Sequence, residues 1–485
     1  KGDTTEMNAG AFKVMKDATA AELLEKMPTL TNENGQIKAQ GENVQQVLVD
    51  GKPFFGNDAT AALRNLPAEL IEKVQVYDAQ SEQSQFTGFN DGTTVKTINL
   101  VTKTGMRNGQ FGKAYAGYGY EEKYQAGGNI SYFDGDRRIS LVGMSNNINV
   151  QNFAIEDLLG ATGGNAGGRG AGRRQGGGQR RGGQRGNEGN NSAAGDFLVN
   201  ASGGINTTHA AGLNYTDRPG TKTQITASYF FNRGENDTEE TLHRQFFNNG
   251  EEYDENSGAH SVNLNHRFSM RLEHTVDSAN SLVWRPRLIF QKNEGEAQTF
   301  GATFLHAETL NQSDNRYFSD LTGLNFSNAL LYRHKFAKRG RTISIEASGG
   351  TAPKTGDSRL LSRSDYFNRL PPAGDTLDQQ GIFDQKNWNA AANVEYTEPA
   401  GKNAQWMLLW RGSYQQEASD RQISDFNGLS GRYEDLNEPL SNVFSNNYRS
   451  QSGGIGYNYN IGRVLNISAR ASAQWAELNN DQTFP

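Results

Sequence analysis

A strict alternation of apolar and polar residues over residues 260–274 limits what this chain can fold into. The odd positions are all polar, whereas the even positions carry Val262, Leu264, Phe268 and other apolar residues together with three histidines. Successive side chains of a strand point to opposite faces, so the pattern predicts a strand with one apolar and one polar face. At ~3.3 Å per residue such a strand reaches about 50 Å, which is long for a soluble domain and enough to cross a membrane when tilted.

The same period of two recurs along most of the chain after about residue 107. It is clear over residues 282–291, 343–348, 388–397, 406–414 and 465–475. Several polar rows carry charges that would be costly inside a dry core but not against water. We therefore predict that the following residues line a wet interior: Arg267, Arg271, Arg285, Arg287 and Glu346.

Short and long connections alternate between the predicted strands. The short ones fall at residues 134–137, 217–220, 277–280, 337–340, 399–402 and 461–463. We expect long loops near residues 151–205, 237–259, 292–320, 350–386 and 418–448. Short turns on one side and long loops on the other are typical of outer-membrane barrels.

Composition excludes several classes of protein. The chain has 485 residues, a net charge of −6 and no cysteine, and it contains no run of 18 apolar residues. A helical membrane span, a thiolate metal site and a disulfide are therefore excluded, and a dedicated nucleic-acid binder is disfavoured. A nucleophile elbow, a phosphate-binding loop and a zinc-protease motif are all missing from the sequence, so we predict no enzyme, no cofactor and no metal site.

Residues 1–104 have a different, mixed α/β pattern. Thr19 and Glu22 form a capping-box pattern that opens a short helix, which we expect Pro28 to end. Short strands are predicted at residues 36–39 and 47–49, with Asp50-Gly51 as the turn that follows. A second helix is expected over residues 59–66, and further strands over residues 71–77 and 95–102.

This N-terminal block resembles the plug domain of TonB-dependent receptors. The resemblance is carried, in order, by residues 23–28 (LLEKMP), 37–41 (IKAQG), 47–51 (VLVDG), 66–76 (LPAELIEKVQV) and 97–103 (TINLVTK). The stretch that follows is similar to a Bacteroidota subgroup of that family. Its matching residues are 111–113, 117–119, 126–129, 137–141 and 146–149, with a glycine-rich insertion after residues 153–159.

The resemblance implies a membrane all-β fold, a transmembrane antiparallel β-barrel with an N-terminal mixed α/β plug in its lumen. Complete barrels of this kind have about 22 strands, and about 13 strand-like segments are present here, so we expect an incomplete C-terminus. The expected domains are a plug at residues 1–104 and a barrel at residues 105–485. The barrel would carry a Gly/Arg-rich extracellular loop at residues 160–192.

The implied function is gated uptake of a scarce nutrient across the outer membrane of a Gram-negative bacterium. The implied partners are outer-membrane lipid, a TonB-type energising protein in the periplasm, and a surface lipoprotein or other subunits, but not nucleic acid. An alternative is a non-transporting barrel subunit or scaffold of a larger outer-membrane complex, which the lipid-side position predicted for His266 favours. The residues that bind the solute are left unassigned by the pattern.

Four further features have both a structural and a functional interpretation. The arginines among the glycines of residues 163–186 suit a solvated loop or the capture of an anionic ligand. Asp50-Gly51 is a tight turn or a functional apex. Asp237, Asp254 and Glu255 are expected in a loop, but their spacing matches no known calcium loop. His260, His266 and His274 share one strand face at separations too long for one metal ion.

Overall fold

The computed structural model describes residues 4–483 apart from several gaps. The gaps are residues 16–17, 34–35, 56–61, 65, 90–93, 105–107, 151–198, 200–202, 369–372 and 462–464. The glycine- and arginine-rich loop predicted at residues 160–192 lies outside the described residues. What is described consists of an N-terminal domain, residues 4–104, and one large antiparallel sheet.

The N-terminal domain is built on a mixed five-stranded sheet. Its strands are β1 (Thr5–Asn8), β2 (Leu30–Glu33), β3 (Gln36–Ala39), β4 (Glu42–Asn43), β5 (Gln46–Val49), β6 (Lys52–Pro53), β7 (Ile71–Gln80) and β8 (Thr94–Thr102). The five-stranded sheet has the order β1-β7-β8-β5-β6, and β2, β3 and β4 form a second, small sheet. Val49, Val76 and Leu100 are fully buried in an apolar cluster that lies mostly in this domain and continues into Phe133 and Phe230 of the large sheet.

Two short helices flank that sheet. Helix α1 (Ala20–Leu24) begins with the predicted capping box between Thr19 and Glu22 but ends before Pro28, because the chain turns after Leu24. Residues 62–64, inside the second predicted helix, are helical. Helix α2 (Glu82–Thr87) is not among the predicted elements; Ser81 caps its first turn and Gly88, at a φ of 73°, ends it.

The large sheet follows from residue 108 onward. Its strands are β9 (Asn108–Tyr118), β10 (Tyr124–Asp134), β11 (Arg137–Asn146), β12 (Ile205–Asp217), β13 (Thr223–Phe246), β14 (Glu251–Thr275), β15 (Asn280–Leu305), β16 (Glu308–Lys335), β17 (Thr342–Thr351), β18 (Lys354–Tyr366), β19 (Ala373–Pro399), β20 (Ala404–Asn427), β21 (Arg432–Leu436), β22 (Asn442–Ile461) and β23 (Leu465–Gln482). In the described part of the chain, thirteen of these pair successively from β9 to β23. β17 and β18 lie end to end between β16 and β19, and β21 pairs with β20.

The long loops predicted between strands are mostly wrong. β13 and β14 pair without interruption from Thr223↔His274 to Phe246↔Glu251, so the predicted loop at residues 237–259 is a two-stranded extension of the sheet. β15 and β16 also pair across residues 292–320, with one irregularity between Thr303 and Phe304. Polar residues predominate on both faces of these segments, so the sequence does not show the apolar–polar alternation that predicts a strand. The backbone groups can still form the hydrogen bonds of a sheet.

The two faces of the large sheet differ along whole rows of directly opposed residues. On one face, successive strands β10 to β16 oppose apolar residues that are all more than a third exposed: Ile130, Leu141, Leu213, Tyr229, Phe268, Leu288 and Phe326. The residues next to these in sequence point to the other face. There the directly opposed residues of the same strands are all polar: Ser131, Ser140, Asn214, Ser228, Ser269, Arg287 and Ser327. The N-terminal domain packs on the polar face, which we call the inner face.

The predicted fold class, a large antiparallel β structure with an N-terminal α/β unit, is confirmed. Within the residues that the structure describes, none of the helices is both long and apolar enough to cross a membrane.

Candidate functional site

The N-terminal domain touches the inner face of the sheet in two places. The first contact is made by the turn after β5 and by the residues that follow it, against β10 to β13. The second contact is made by α2 and the residues just after it, against β14 to β23. Because these contacts hold the N-terminal domain against the sheet, they form the candidate functional site.

An ion pair inside the first contact fixes the β5–β6 turn. Asp50 has a φ of 51°, a left-handed backbone conformation that Asp tolerates better than most residues. Its carboxylate accepts hydrogen bonds from the Thr102 amide and hydroxyl, each at 2.8 Å, and from the Arg138 guanidinium at 2.7 Å. Only 5% of the Arg138 side chain and 12% of the Asp50 side chain are exposed, so the pair is largely removed from water.

Aromatic packing completes the first contact. Phe55 is 1% exposed, its ring centroid lies 5.4 Å from that of Phe230 on β13, and its amide donates to the Asn214 side chain at 3.1 Å. Gly212 on β12 leaves room for Phe230, since a Cβ there would come within 2.7 Å of the ring. This contact is therefore partly apolar, unlike most of the inner face.

Arginines from three adjacent strands surround Glu82 of α2 in the second contact. Arg271 of β14 donates to one carboxylate oxygen at 2.7 Å. Arg285 of β15 and Arg333 of β16 donate to the other oxygen at 3.3 and 3.2 Å. Ion pairs with Glu273 and Glu346 on the sheet hold Arg271 and Arg285 as well. We call Arg271, Arg285 and Arg333 the arginine cluster.

Hydrogen bonds and one aromatic ring extend the second contact beyond the arginine cluster. The Gln83 side chain donates to the Ser344 hydroxyl on β17. Gln405 on β20 donates to the Thr87 carbonyl at 3.0 Å. Phe89 is 2% exposed and fits beside Gly456 on β22, where a Cβ would lie 2.7 Å from the ring. The second contact is mainly polar and reaches across most of the described sheet.

Two ion pairs on the N-terminal domain shift pKa values. A hydrogen bond from Lys52 lowers the pKa of Asp136, in the turn between β10 and β11, below its ordinary value. A hydrogen bond to Asp78 at 2.7 Å raises the pKa of Lys96, whose side chain is only 5% exposed; the nearby carboxylate of Glu42 contributes further. Both groups are therefore charged over the whole physiological range.

The charged residues predicted to line a wet interior lie on the inner face. Arg271, Arg285 and Glu346 meet at the second contact, and Arg267 lies over the Phe230 ring at 4.8 Å. Arg287 belongs to the polar row described above. The alternation therefore predicted the side on which these charges lie, but not which of them touch the N-terminal domain.

The acidic residues considered for calcium do not converge. Asp254 and Glu255 are neighbours on β14, so they point to opposite faces, and Asp254 pairs with His243 at 2.6 Å. A different set on the outer face, Glu235, Asp237 and His260, has ligand atoms within 4.8 Å of one another. Of these, Glu235 is already paired with Arg233 at 2.7 Å.

Histidines on β14 share one face, as predicted. His266 is half-buried on the outer face, with its Nδ1 2.8 Å from the Tyr229 hydroxyl and its ring beside Phe231 and Phe290. His274 bonds Thr223 at 2.9 Å near the turn end of the strand. The separations along β14 again exclude a shared metal ion.

Sequence reasoning missed Glu82, Arg138 and Arg333. The signal for Glu82 was available, since Ser81 and Gly88 bracket a helix of the right length with a standard N-cap and C-terminal glycine. Arg138 and Arg333 carried no such signal. Each is one of several arginines in strands with alternating polar residues. It belongs to the site because it forms an ion pair with a residue that is distant in sequence.

No family model and no curated protein matches this chain. Solved structures do match. The siderophore receptor PiuA from Acinetobacter baumannii is 11% identical, with a TM-score of 0.25, over 98% of this chain and 79% of that one. The ferric-catecholate import receptor Fiu from E. coli K12 is 9% identical, with a TM-score of 0.25, over 99% and 89% of the two chains.

The copper transporter OprC is 10% identical, with a TM-score of 0.24, over 99% of this chain and 91% of that one. TM-scores this low mean that the chain as a whole does not superpose on these structures. Its function must therefore be inferred from its own geometry.

Proposed function

We propose that this chain is a plugged β-barrel of the outer membrane and that it takes up a scarce nutrient by gated passage. The observation that carries the proposal is the difference between the two faces of the sheet. One face opposes exposed apolar residues from strand to strand, and the other opposes polar residues and holds a separately folded domain. A wall with lipid outside and a polar lumen inside requires this arrangement.

The height of the apolar band suits an outer membrane. On β23 the outward residues from Leu465 to Trp475 are apolar, and the next outward residue is Glu477. Ten residue steps at ~3.3 Å, tilted by ~40°, give a band of about 25 Å, the height of the apolar belt in such barrels. Outer-membrane lipid is therefore the partner that this face fits.

The contacts of the plug, residues 1–104, suit movement. Most of them are hydrogen bonds and ion pairs to a polar wall, which water can replace when the domain shifts. β1 is the edge strand of the plug sheet, and it is held to β7 by Glu6, which pairs with Lys73 at 3.0 Å. In this proposal a TonB-type energising protein pulls on the N-terminal segment, and the load reaches the two contacts through the plug sheet.

Tethering the plug to the wall tests gating. Cysteines at Gln83 and Ser344, joined by a short thiol-reactive crosslinker in proteoliposomes, are expected to abolish uptake; the native chain has no cysteine to interfere. The matched control joins Asn263 and Gln291, two wall residues bonded at 2.9 Å, and should leave uptake unchanged. Uptake that survives the plug–wall tether contradicts a moving plug.

A non-transporting role as a subunit of a larger outer-membrane complex is the second candidate function. It is favoured by His266, a polar ring half-buried beside Phe231 and Phe290 on the outer face, where a partner such as a surface lipoprotein could cover it. Purification in mild detergent separates the two functions. A stable complex that is lost in His266→Phe supports the scaffold, whereas a monodisperse chain without partners argues against it.

A further inference from the structure

The arginine cluster holds a carboxylate in the way that a binding site holds an anionic ligand. Both oxygens of Glu82 are taken: one by Arg271 at 2.7 Å, the other by Arg285 at 3.3 Å and Arg333 at 3.2 Å. The three guanidinium groups come from three successive strands of the wall, while the carboxylate comes from the plug. Donor and acceptor therefore belong to parts that the proposed gating would separate.

The wall keeps two of the three arginines in place without help from the plug. Glu273 pairs with Arg271 at 2.7 Å, and Glu346 pairs with Arg285. A site whose donors are already held in position loses little entropy when an anion arrives. If α2 withdrew, the guanidinium groups of Arg271 and Arg285 would stay near their present positions.

Charge at the cluster is balanced only while Glu82 is present. Three guanidinium groups face two wall carboxylates, Glu273 and Glu346, and Glu82 supplies the third negative charge. The Arg333 side chain is 8% exposed, and its Nε lacks a hydrogen-bond partner among the described residues. A buried cation that loses the carboxylate bonded directly to it favours the entry of another anion.

Space for such an anion lies beside the cluster. A cavity of about 390 Å³ lies there, and its charged lining residues are Arg271, Arg333, Lys335, Glu82, Glu273 and Asp277. Without Glu82 the lining carries three cations and two carboxylates, so it has a net positive charge. The cavity volume is within the usual range for small-molecule sites. Lys335 adds a cation to those of the arginine cluster.

We propose that the arginine cluster, with Lys335, is a binding site for a carboxylate or phosphate group on the inner wall. Glu82 occupies the site in the plugged state, and the anionic group of a solute takes its place when α2 moves. This inference rests on the proposed uptake function and deepens it, since it assigns the solute an oxyanion. The planar forks of the guanidinium groups match the two oxygens of a carboxylate or phosphate.

Chemical rescue of Glu82→Ala tests the site without requiring transport. The variant chain, purified in detergent, is heated in acetate or inorganic phosphate at constant ionic strength, with chloride as the reference ion. We expect a lowered Tm that rises with the logarithm of the acetate or phosphate concentration once that concentration exceeds Kd, because a ligand that binds only the folded state stabilises it in this way. The wild-type protein should show no such rise, since Glu82 fills the site.

Two controls separate a site from a general salt effect. Glu69→Ala removes an exposed plug carboxylate away from the cluster and should show no rescue. Glu82→Ala combined with Arg333→Gln should lose most of the rescue. If Glu82→Ala does not fold, the same titration is made on Glu82→Gln, which keeps the side-chain volume but not the charge.

The outcomes distinguish this inference from the uptake proposal. Rescue by acetate or phosphate but not by chloride, confined to Glu82 variants that keep Arg333, supports the site, even if proteoliposomes show no flux and uptake itself is wrong. Equal anion effects in Glu82→Ala and Glu69→Ala overturn the site, even if uptake is observed.

Discussion

At the scale of single residues, burial determines which ion pair of the first contact contributes most to the stability of that contact. Asp50–Arg138 is almost closed to water, whereas Lys52–Asp136, in the same contact, has side chains that are 22% and 51% exposed. Removing one partner of a buried pair leaves an uncompensated charge, while an exposed pair contributes little because water solvates both ions. The two pairs therefore form a matched comparison within one contact.

We predict that Asp50→Ala weakens plug docking by about 3–5 kcal/mol. The substitution also removes the two hydrogen bonds to Thr102, so the effect should lie toward the upper end. Asp136→Asn should cost less than about 1 kcal/mol. Limited proteolysis of the plug across a urea series measures both, and similar losses in the two variants would show that burial is not the deciding factor.

Lys96 predicts an alkaline limit to plug stability. Its pKa is raised in the folded chain, so its ion pairs stabilise the plug below the unfolded pKa of about 10.4. That contribution is lost as the pH rises through the folded value. Tm measured from about pH 8 to about pH 12 should fall more steeply in the wild-type protein than in Lys96→Gln. Lys103→Gln, at an exposed position, is the control and should follow the wild-type curve.

At the scale of elements, alternation predicted the strands but not their partners. The rows over residues 260–274 and 465–475 identify the faces of β14 and β23 because a period of two is a local property. The extensions of β13 and β14 have charges on both faces, and those of β15 and β16 have charges on one face and mostly uncharged polar residues on the other, so the sequence predicted loops there. The contact between Gln83 and Ser344 joins residues 261 positions apart, and no local pattern encodes it.

Substitutions at two glycines of β22 test how α2 and the residues after it pack against the sheet. Gly456→Val should push Phe89 out of place, because its Cβ would lie 2.7 Å from the ring and 3.4 Å from Met407. Overpacking of this kind costs about 1–3 kcal/mol. Gly453→Val, on the same strand with open space around its Cβ, is the control. Faster proteolysis near α2 in Gly456→Val alone is the expected result, and equal rates would contradict this seating.

At the scale of the whole molecule, the sidedness of the sheet predicts a difference between two adjacent alanines. Ala392 lies on the outer face, level with Gly412 and Ala347 and midway between Tyr396 and Trp388. Ala391 opposes Ser413 and Ser348 on the inner face. Ala392→Arg places a charge at the middle of the apolar band and should cost about 2–4 kcal/mol, whereas Ala391→Arg faces the lumen and should cost much less.

Folding into lipid vesicles, followed by gel mobility with and without heating, measures this difference. The expected result is a reduced folded fraction for Ala392→Arg and a nearly normal one for Ala391→Arg. Equal yields would mean that the outer face is not in contact with lipid.

The large sequence separation between the residues of the second contact also implies an order in which the parts of the chain fold. Most neighbouring strands of the sheet pair with one another across short turns, but Glu82 and Thr87 meet partners 189 and 318 positions later in the chain. Local pairings form early, because distant ones must first overcome the entropy of closing a long loop. The strands of the N-terminal domain lie within residues 5–102, yet Glu82 and Thr87 reach their partners only after β14 to β20 exist. We therefore expect the docking of this domain onto the sheet to be one of the last steps of folding.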